Sequence, residues 1–363
     1  MDFIRTPYYE GRDPNLKEPY CFACRFYENR IVFSDFIRCS RCHMAWYCST
    51  QCQKKHDKRH RERCNLMMAE WYSVEQSIVP LQDSDVLSDD SAVVQRYFEA
   101  NDNILSAEVG EYLCDLTSLA TVFWHSAYEC EIKQVWEAAL FHCEKVIKVR
   151  AGYNLEARVR IPFILLYLNR DDEAYAYIRY WFEEGIHGRS RPYPIEPNCR
   201  YFDIFEENST ADMGNLQLPL FVALAIIKMR IIASHNAISR SIDIAFEQAD
   251  MKQILEVRSD LQDFLLDCDI DVLDQSLRLN RIFEEIEREE PFLLDSMLKA
   301  EQFSEIRDFS FLDEALISAL PSLKLVLLHS VRCFFRVPRA SDLLWNFIIG
   351  NDRFEDVNND EAA

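Results

Sequence analysis

The fold of the N-terminal part is decided by residues 21–64, which read CFACRFYENRIVFSDFIRCSRCHMAWYCSTQCQKKHDKRHRERC. This stretch holds seven of the 13 cysteines and three of the 8 histidines in the chain. Four pairs of metal-binding side chains follow one another along it: Cys21 and Cys24, Cys39 and Cys42, Cys48 and Cys52, and His60 and Cys64. Eight such ligands are enough for two tetrahedral zinc ions.

The spacing within each pair suits a single metal ion. The first two pairs are CxxC motifs, and a tight knuckle of this kind points both sulfurs at an ion about 2.3 Å away. The last two pairs are separated by three residues, which places both members of a pair on one face of a helix. Thr50, with Gln53 three residues later, predicts a capping box at the start of that helix.

Zinc is needed because 44 residues bury too little apolar surface to fold alone. Each structural zinc would supply roughly 10–16 kcal/mol of apparent binding free energy, so we expect the segment to be disordered without metal. Buried apolar cysteines would not explain the CxxC motifs, and seven cysteines do not fit a disulfide framework. Residues 1–20 also lack the apolar segment of a secretory signal. These features favour a cytoplasmic and/or nuclear protein.

The ligand pattern resembles the MYND-type zinc finger, and Tyr47 before Cys48 and Gln53 after Cys52 also stand where that family has them. The resemblance implies an interleaved ligand set. The first zinc would bind Cys21, Cys24, Cys48 and Cys52, and the second Cys39, Cys42, His60 and Cys64.

The spacing alone leaves two alternatives open. A sequential pairing, in which the first four cysteines bind one ion, is also chemically possible. His56 lies one helical turn before His60 and shares its face, so it is a competing ligand. We favour His60 because its spacing from Cys64 fits the family pattern.

The resemblance also implies that the finger docks short peptide motifs, often proline-rich, from regulatory partners. The edge expected to make this contact comprises Ser40, Arg41, Ala45, Trp46 and Gln53. Trp46 is the hypothetical anchor because an aromatic ring beside a knuckle can stack on a proline. Its alternative role is to cover the zinc site. Asp57 stands where many family members have a tryptophan that lines the peptide groove.

The net charge of −21 is unevenly distributed. Residues 21–64 contain ten Lys/Arg and four Asp/Glu, which leaves 30 basic and 57 acidic residues for the rest of the chain. We interpret the basic run at 54–63 as a solvated helix face. Its alternative role is nucleic-acid binding in a transcriptional regulator, which we disfavour because an acidic body repels phosphate.

The remainder of the chain is predicted to be mainly α-helical, because it has few glycines and apolar residues recur every three or four positions. The predicted regions are an irregular N-terminal segment (1–20), a helix extension and acidic linker (65–90), an α-helical repeat-like domain (91–350) and an acidic disordered tail (351–363). Helices are predicted at 92–105, 108–123, 129–149, 155–168, 171–182, 218–238, 251–266, 272–287, 291–301 and 322–335.

The helical hairpin at 155–182, with Ala174 and Ile178 facing inward, weakly resembles a tetratricopeptide repeat and suggests an α-solenoid. No membrane span is expected, because the most apolar window, 218–232, is interrupted by Lys228 and Arg230. We expect the six cysteines after the finger to be buried thiols.

Catalysis is not predicted. MYND fingers also occur within SET-domain lysine methyltransferases, but the nearest string to the Asn-His-Ser-Cys segment of that family is Ser234-His235-Asn236, in the wrong order. The sequence contains no GxGxxG, Walker, GxSxG or HExxH motif. Two zinc ions with four protein ligands each are structural rather than catalytic. The sequence therefore predicts a zinc-binding adaptor that acts through protein interactions.

Overall fold

The computed structural model describes residues 16–24, 36–88, 91–100, 106–149, 155–184, 217–248, 272–299 and 321–349. A two-stranded hairpin and two isolated bridges are the β-structure in this part of the chain, and its other regular elements are helices. A finger attached to a mainly α-helical body was predicted, and this fold class is confirmed. The chain forms two compact units, Met1–Ala157 and Arg158–Ala363.

The strands are β1 (Ile37–Arg38) and β2 (Trp46–Tyr47), which pair antiparallel. The helices are α1 (Thr50–Ser77), α2 (Ser91–Ala100), α3 (Ala107–Cys130), α4 (Lys133–Val149), α5 (Leu155–Tyr167), α6 (Asp171–Glu184), α7 (Gln217–Gln248), α8 (Val272–Glu289), α9 (Leu293–Lys299), α10 (Pro321–Phe335) and α11 (340–349). None of these described helices combines the length and the apolar character needed to cross a lipid bilayer.

The core of the first unit is formed by α3, which packs on both α1 and α4. The buried side chains of α3 recur every three or four residues, as the helical periodicity predicts. They are Val109, Tyr112, Leu113, Leu116, Leu119, Ala120, Phe123, Trp124, Ala127 and Cys130. The helix continues to Cys130, beyond the predicted end at 123. The helix ends where Glu131 adopts a left-handed conformation with φ 56°. The sequence did not predict this end, because no glycine or proline marks it.

Helix α1 belongs to the finger and to this core at the same time. The Trp71 ring lies 5.8 Å from the His142 ring and 6.3 Å from the Phe123 ring. Arg63 forms an ion pair with Glu129. The segment predicted as a helix extension and acidic linker, 65–90, lies within the first unit, which ends at Ala157. The acidic composition of that stretch suggested a linker, but Leu81 and Val86 are buried.

In the second unit, α7 holds the turn between α5 and α6. Arg230 pairs with the Asp171 carboxylate at 2.5 Å and donates a hydrogen bond to the Leu166 carbonyl at 2.9 Å. The predicted turn at Asn169 and Arg170 is present, and Asn169 is left-handed. Ala174 and Ile178 are fully buried, as predicted. The solenoid interpretation stays a prediction.

Pro162 lies inside α5 and has no N–H, so it cannot donate a hydrogen bond to the Arg158 carbonyl one turn earlier. The Tyr177 hydroxyl of α6 donates to that carbonyl at 2.9 Å. A side chain from the neighbouring helix therefore satisfies the backbone acceptor that proline leaves open.

Some expectations differ from the structure or lie outside the described residues. Helix α11 was not predicted. The predicted helix at 251–266, the tail at 351–363 and most of the N-terminal segment lie outside the described residues. Among the cysteines after the finger, Cys130, Cys143 and Cys333 are buried as expected, whereas Cys114 is exposed because it lies on the outer face of α3.

Replacing Tyr177 by phenylalanine is expected to lower the free energy of unfolding by about 1–3 kcal/mol, because it leaves the Arg158 carbonyl buried without a donor. Urea denaturation followed by circular dichroism measures the change. The control is Tyr72→Phe, because Tyr72 is exposed and the same substitution there should change stability by less than about 0.5 kcal/mol. Equal stabilities of the two variants would contradict the role of Tyr177.

The stability of the first unit is expected to fall with acid through His142. Burial, with a smaller contribution from Lys145, lowers the pKa of His142 to about 3 from its ordinary value of 6.5. Below pH 6.5 the unfolded chain takes up a proton that the folded chain does not, so the folded state loses stability as the pH falls. The loss from this group at pH 5 is about 2 kcal/mol.

We expect His142→Phe to abolish this part of the pH dependence when urea unfolding is compared at pH 7 and pH 5. Loss of zinc in acid affects both proteins alike, so the difference between wild type and variant isolates the imidazole. The exposed His125 provides the control, and His125→Gln should keep the wild-type dependence. An unchanged dependence in His142→Phe would rule out the buried imidazole as its source.

Candidate metal centres

The structure gathers the eight predicted ligands into two groups of four. In the part of the chain that it describes, Cys21, Cys24, Cys48 and Cys52 form one group and Cys39, Cys42, His60 and Cys64 form the other. Within each group, all ligand atoms lie within 4.8 Å of one another. This is the interleaved arrangement that the family resemblance implies, and it differs from the sequential alternative.

The distances within both groups suit zinc. Two sulfurs bound to a tetrahedral zinc ion are about 3.8 Å apart when each lies about 2.3 Å from the metal. The Cys48 sulfur lies 3.8 Å from that of Cys24 and 3.5 Å from that of Cys52. In the second group the Cys39 and Cys64 sulfurs are 3.8 Å apart. The donor types and spacing are consistent with two structural zinc ions.

The interleaving has its origin in the β-structure. Cys21 forms a parallel bridge with Trp46 of β2, and the Phe22 N–H donates to the Trp46 carbonyl at 2.9 Å. The first knuckle is therefore held beside the strand that leads directly to Cys48. Cys39 follows β1 on the other side of the hairpin, where α1 brings His60 and Cys64. Strand pairing thus separates ligands that are close in sequence.

The second knuckle uses an unusual backbone conformation. His43 is left-handed with φ 56°, and its N–H donates to the Cys39 carbonyl at 3.0 Å. The turn also lets the Met44 N–H donate to the Cys42 sulfur at 3.5 Å. Such N–H groups stabilise thiolates. The sequence did not indicate this turn, because no glycine marks it.

Helix α1 begins one residue earlier than the predicted capping box. Ser49 is the N-cap, and its hydroxyl accepts a hydrogen bond from the Cys52 N–H at 3.2 Å. A capping box would need Glu or Gln at position 52, but that position is a metal ligand. The prediction that Thr50 caps the helix was therefore wrong, although the helix itself was predicted correctly.

The electrostatics of the second group favour a bound cation. Burial raises the pKa of the Cys42 thiol, and the neighbouring Cys39 and Cys64 charges raise it further, against a lowering effect of the Met44 N–H. Three thiolates at this separation repel one another, and a divalent ion removes that cost. In the first group burial opposes ionisation of Cys21, but the N–H groups of Cys48, Cys24 and Ala23 outweigh it and lower the pKa of Cys21 to about 6.

His60, rather than His56, is placed as the histidine ligand. The His60 Nε2 lies 3.3 Å from the Cys42 sulfur. His56 is outside both ligand groups, and its Nδ1 forms a hydrogen bond with the Tyr47 hydroxyl at 3.2 Å. The Tyr47 ring is fully buried, so the contact between Tyr47 and His56 fills the space between the hairpin and α1.

The predicted peptide-contact residues separate into two sets. Ser40, Arg41 and Gln53 line a cleft of about 170 Å³. Three ligands of the second group, Cys39, His60 and Cys64, also line it, so part of this volume is where the second zinc ion would lie. Ala45 and Trp46 are buried, and only 2% of the Trp46 side chain is exposed. Trp46 therefore cannot present its ring to a proline in this structure. The hairpin turns the ring inward, and its position fits the alternative role of covering the metal centres.

Charged and polar side chains complete the cleft. Asp57 and Arg61 line it and form an ion pair along α1. The Arg41 guanidinium donates to the Asn65 side chain at 3.0 Å, across from the knuckle to the helix. Arg41 was among the predicted contacts, whereas Arg61 and Asn65 were not, and Asp57 was noted only as a departure from the family. These α1 residues line the cleft only because the helix packs against the knuckle.

The family model described as the MYND finger matches residues 20–64 of the chain. This segment is therefore a zinc-binding module of the kind that commonly mediates protein interactions. It accounts for 45 of the 363 residues. No curated protein and no solved structure matches the chain.

We expect two zinc ions per chain in the purified protein, measured by atomic absorption. Cys64→Ser should reduce this to one, because three remaining ligands of the second group hold zinc less tightly. Cys114→Ser removes an exposed thiol outside both groups and should retain two. Two zinc ions in Cys64→Ser would contradict the assigned ligand set.

Proposed function

We propose that the protein is a non-catalytic adaptor whose MYND finger docks a short peptide of a regulatory partner. The contact would lie in the cleft beside the second zinc centre. The observation that carries the proposal is that Ser40 and Arg41 of the knuckle and Gln53 of α1 line the same cleft. A groove with a knuckle on one side and a helix on the other suits an extended peptide.

The residues that line the cleft are better suited to bind a peptide through polar groups than to bind one through proline rings alone. No aromatic side chain stands at position 57, and Asp57 and Arg61 form an exposed ion pair there. Ser40 and Gln53 offer hydrogen-bond donors and acceptors. A peptide main chain can use these groups, whereas a proline ring has no exposed aromatic partner among the lining residues.

The proposal of a non-catalytic protein is supported by the ligand sets. Each metal centre has four protein side chains, so a tetrahedral zinc would have no open position for a substrate or a water molecule. The sequence also contains none of the nucleotide-binding or hydrolase motifs considered above. We further propose a cytoplasmic and/or nuclear location, which is supported by the use of cysteines as metal thiolates.

Peptide docking can be tested by selecting a phage library of random 12-residue peptides on the full-length, zinc-loaded protein. We expect selected peptides to bind Gln53→Arg at least about tenfold more weakly than wild type, because the larger side chain fills the cleft. Fluorescence anisotropy with synthetic copies of the peptides gives the affinities.

Gln82→Arg is the matched control. Gln82 is exposed, lies outside α1, and does not line the cleft. It should bind the selected peptides no less tightly than wild type, and both variants should retain two zinc ions. If no peptide is enriched, or if Gln53→Arg binds them as wild type does, the cleft is not a docking site.

A further inference from the structure

Helix α1 presents a second surface, on the side opposite its zinc ligands. The helix has 28 residues and continues 13 residues beyond Cys64. At 3.6 residues per turn, one set of exposed positions falls within an arc of about 140°. We call this set the outer face of α1; it consists of Gln51, Lys54, Lys55, Lys58, Arg59, Glu62, Leu66, Ala69, Tyr72 and Gln76.

The N-terminal half of the outer face is a cluster of four exposed cations: Lys54, Lys55, Lys58 and Arg59. None of the four has an ion pair with any residue in the described part of the chain, whereas Arg61 and Arg63 on the same helix are paired. Lys54 and Lys58, and also Lys55 and Arg59, are like charges four residues apart, which destabilises a helix. Glu62, at helical spacing from Lys58 and Arg59, is the one acidic residue of the outer face, and it forms no ion pair with the four cations in the described part of the chain.

The C-terminal half of the outer face has two large exposed apolar side chains between the polar residues Glu62 and Gln76. Leu66 is 50% exposed and Tyr72 is 61% exposed, and Ala69 lies between them on the same face. Single exposed apolar residues are common on protein surfaces. Here, however, two large ones, six residues and about 120° apart around the same helix, follow a cation cluster that forms no ion pair in the described part of the chain.

The inner face of the same helix fixes the position of this surface. Cys52, His60 and Cys64 are metal ligands, and Met67 is buried. Trp71 packs on Phe123 and His142. A rigid helix presents its outer side chains without the ordering cost that a flexible segment incurs on binding.

We infer that the outer face of α1 docks a protein segment that carries carboxylates at one end and apolar side chains at the other. The cation cluster would pair with the carboxylates, and Leu66 and Tyr72 would receive the apolar groups. The centres of the two halves are about 19 Å apart along the helix. An extended segment spans this distance with about six residues, and a helical one with about thirteen.

Charge and shape favour an acidic, apolar protein segment over nucleic acid. A phosphate backbone would pair with the cations but would leave Leu66 and Tyr72 exposed. The remainder of the chain, with 57 acidic and 30 basic residues, also repels a dense polyanion at long range. A segment with a few carboxylates is complementary to both halves of the surface.

The test uses the full-length, zinc-loaded protein and a pool of 16-residue peptides in which Glu, Leu, Phe and Ser occur in random order. We expect enrichment of peptides with a Glu block and an apolar block. The charge-reversal variant Lys54→Glu/Lys58→Glu and the polar variant Leu66→Gln/Tyr72→Gln should each bind them at least about tenfold more weakly. A second pool, with Lys in place of Glu, should give no enrichment.

Two matched variants control for nonspecific effects. Lys145→Glu/Lys148→Glu makes the same change in net charge at exposed positions of α4, and Leu277→Gln/Phe292→Gln removes two exposed apolar residues elsewhere. Both should bind like wild type, as should Gln53→Arg, which blocks the cleft of the proposed function. All variants should retain two zinc ions, which separates loss of docking from loss of the finger.

Other occupants are outcomes that overturn the inference. A 20-base-pair DNA duplex that binds wild type, loses affinity in Lys54→Glu/Lys58→Glu and keeps it in Leu66→Gln/Tyr72→Gln would identify a polyanion surface. Binding to phosphatidylserine vesicles, with no peptide enriched, would identify a lipid surface. Enriched peptides that bind all variants equally, or no enrichment at all, would show that the outer face is only solvated.

Discussion

Zinc–thiolate coordination is the interaction on which the N-terminal unit depends. Seven cysteine sulfurs and one imidazole nitrogen lie in two groups, with the ligand atoms of each group within 4.8 Å of one another. A zinc ion in each group lets these sulfurs ionise without mutual repulsion, so metal binding contributes directly to folding. The two-residue strands contribute few hydrogen bonds of their own. They act instead by holding the first knuckle beside β2, so that ligands distant in sequence meet at one ion.

Helix α1 transmits this constraint to the rest of the first unit. Its first half supplies ligands, and its second half packs on α3 through residues such as Met67 and Trp71. The finger and the core of the first unit therefore share one continuous helix. A single rigid helix carries metal ligands and core residues on one side and leaves the opposite side exposed to solvent.

The second unit shows how tertiary contacts correct local defects. Pro162 interrupts the hydrogen bonds of α5, and a hydroxyl from α6 satisfies the carbonyl that is left. Buried Lys228 of α7 donates to the Gln275 side chain of α8 at 2.8 Å. Because an unpaired buried polar group is costly, such contacts fix how neighbouring helices are aligned, beyond what apolar packing alone specifies.

The sequence by itself determined the eight ligands, the zinc stoichiometry and most helices, because ligand chemistry requires particular residues at fixed spacing and helices have a local period. Other features depended on residues far apart in the chain. Spacing could not distinguish interleaved from sequential pairing of the ligands, because that choice depends on the strand pairing at Trp46. Nor could it distinguish His60 from His56 as the ligand, because His56 is held by a hydrogen bond with the Tyr47 hydroxyl. Three further features likewise follow only from tertiary structure: the inward orientation of Trp46, the position of Asp57 and Arg61 in the lining of the cleft, and the packing of α1 on α3. Composition does not reveal which side of a hairpin or helix will be covered.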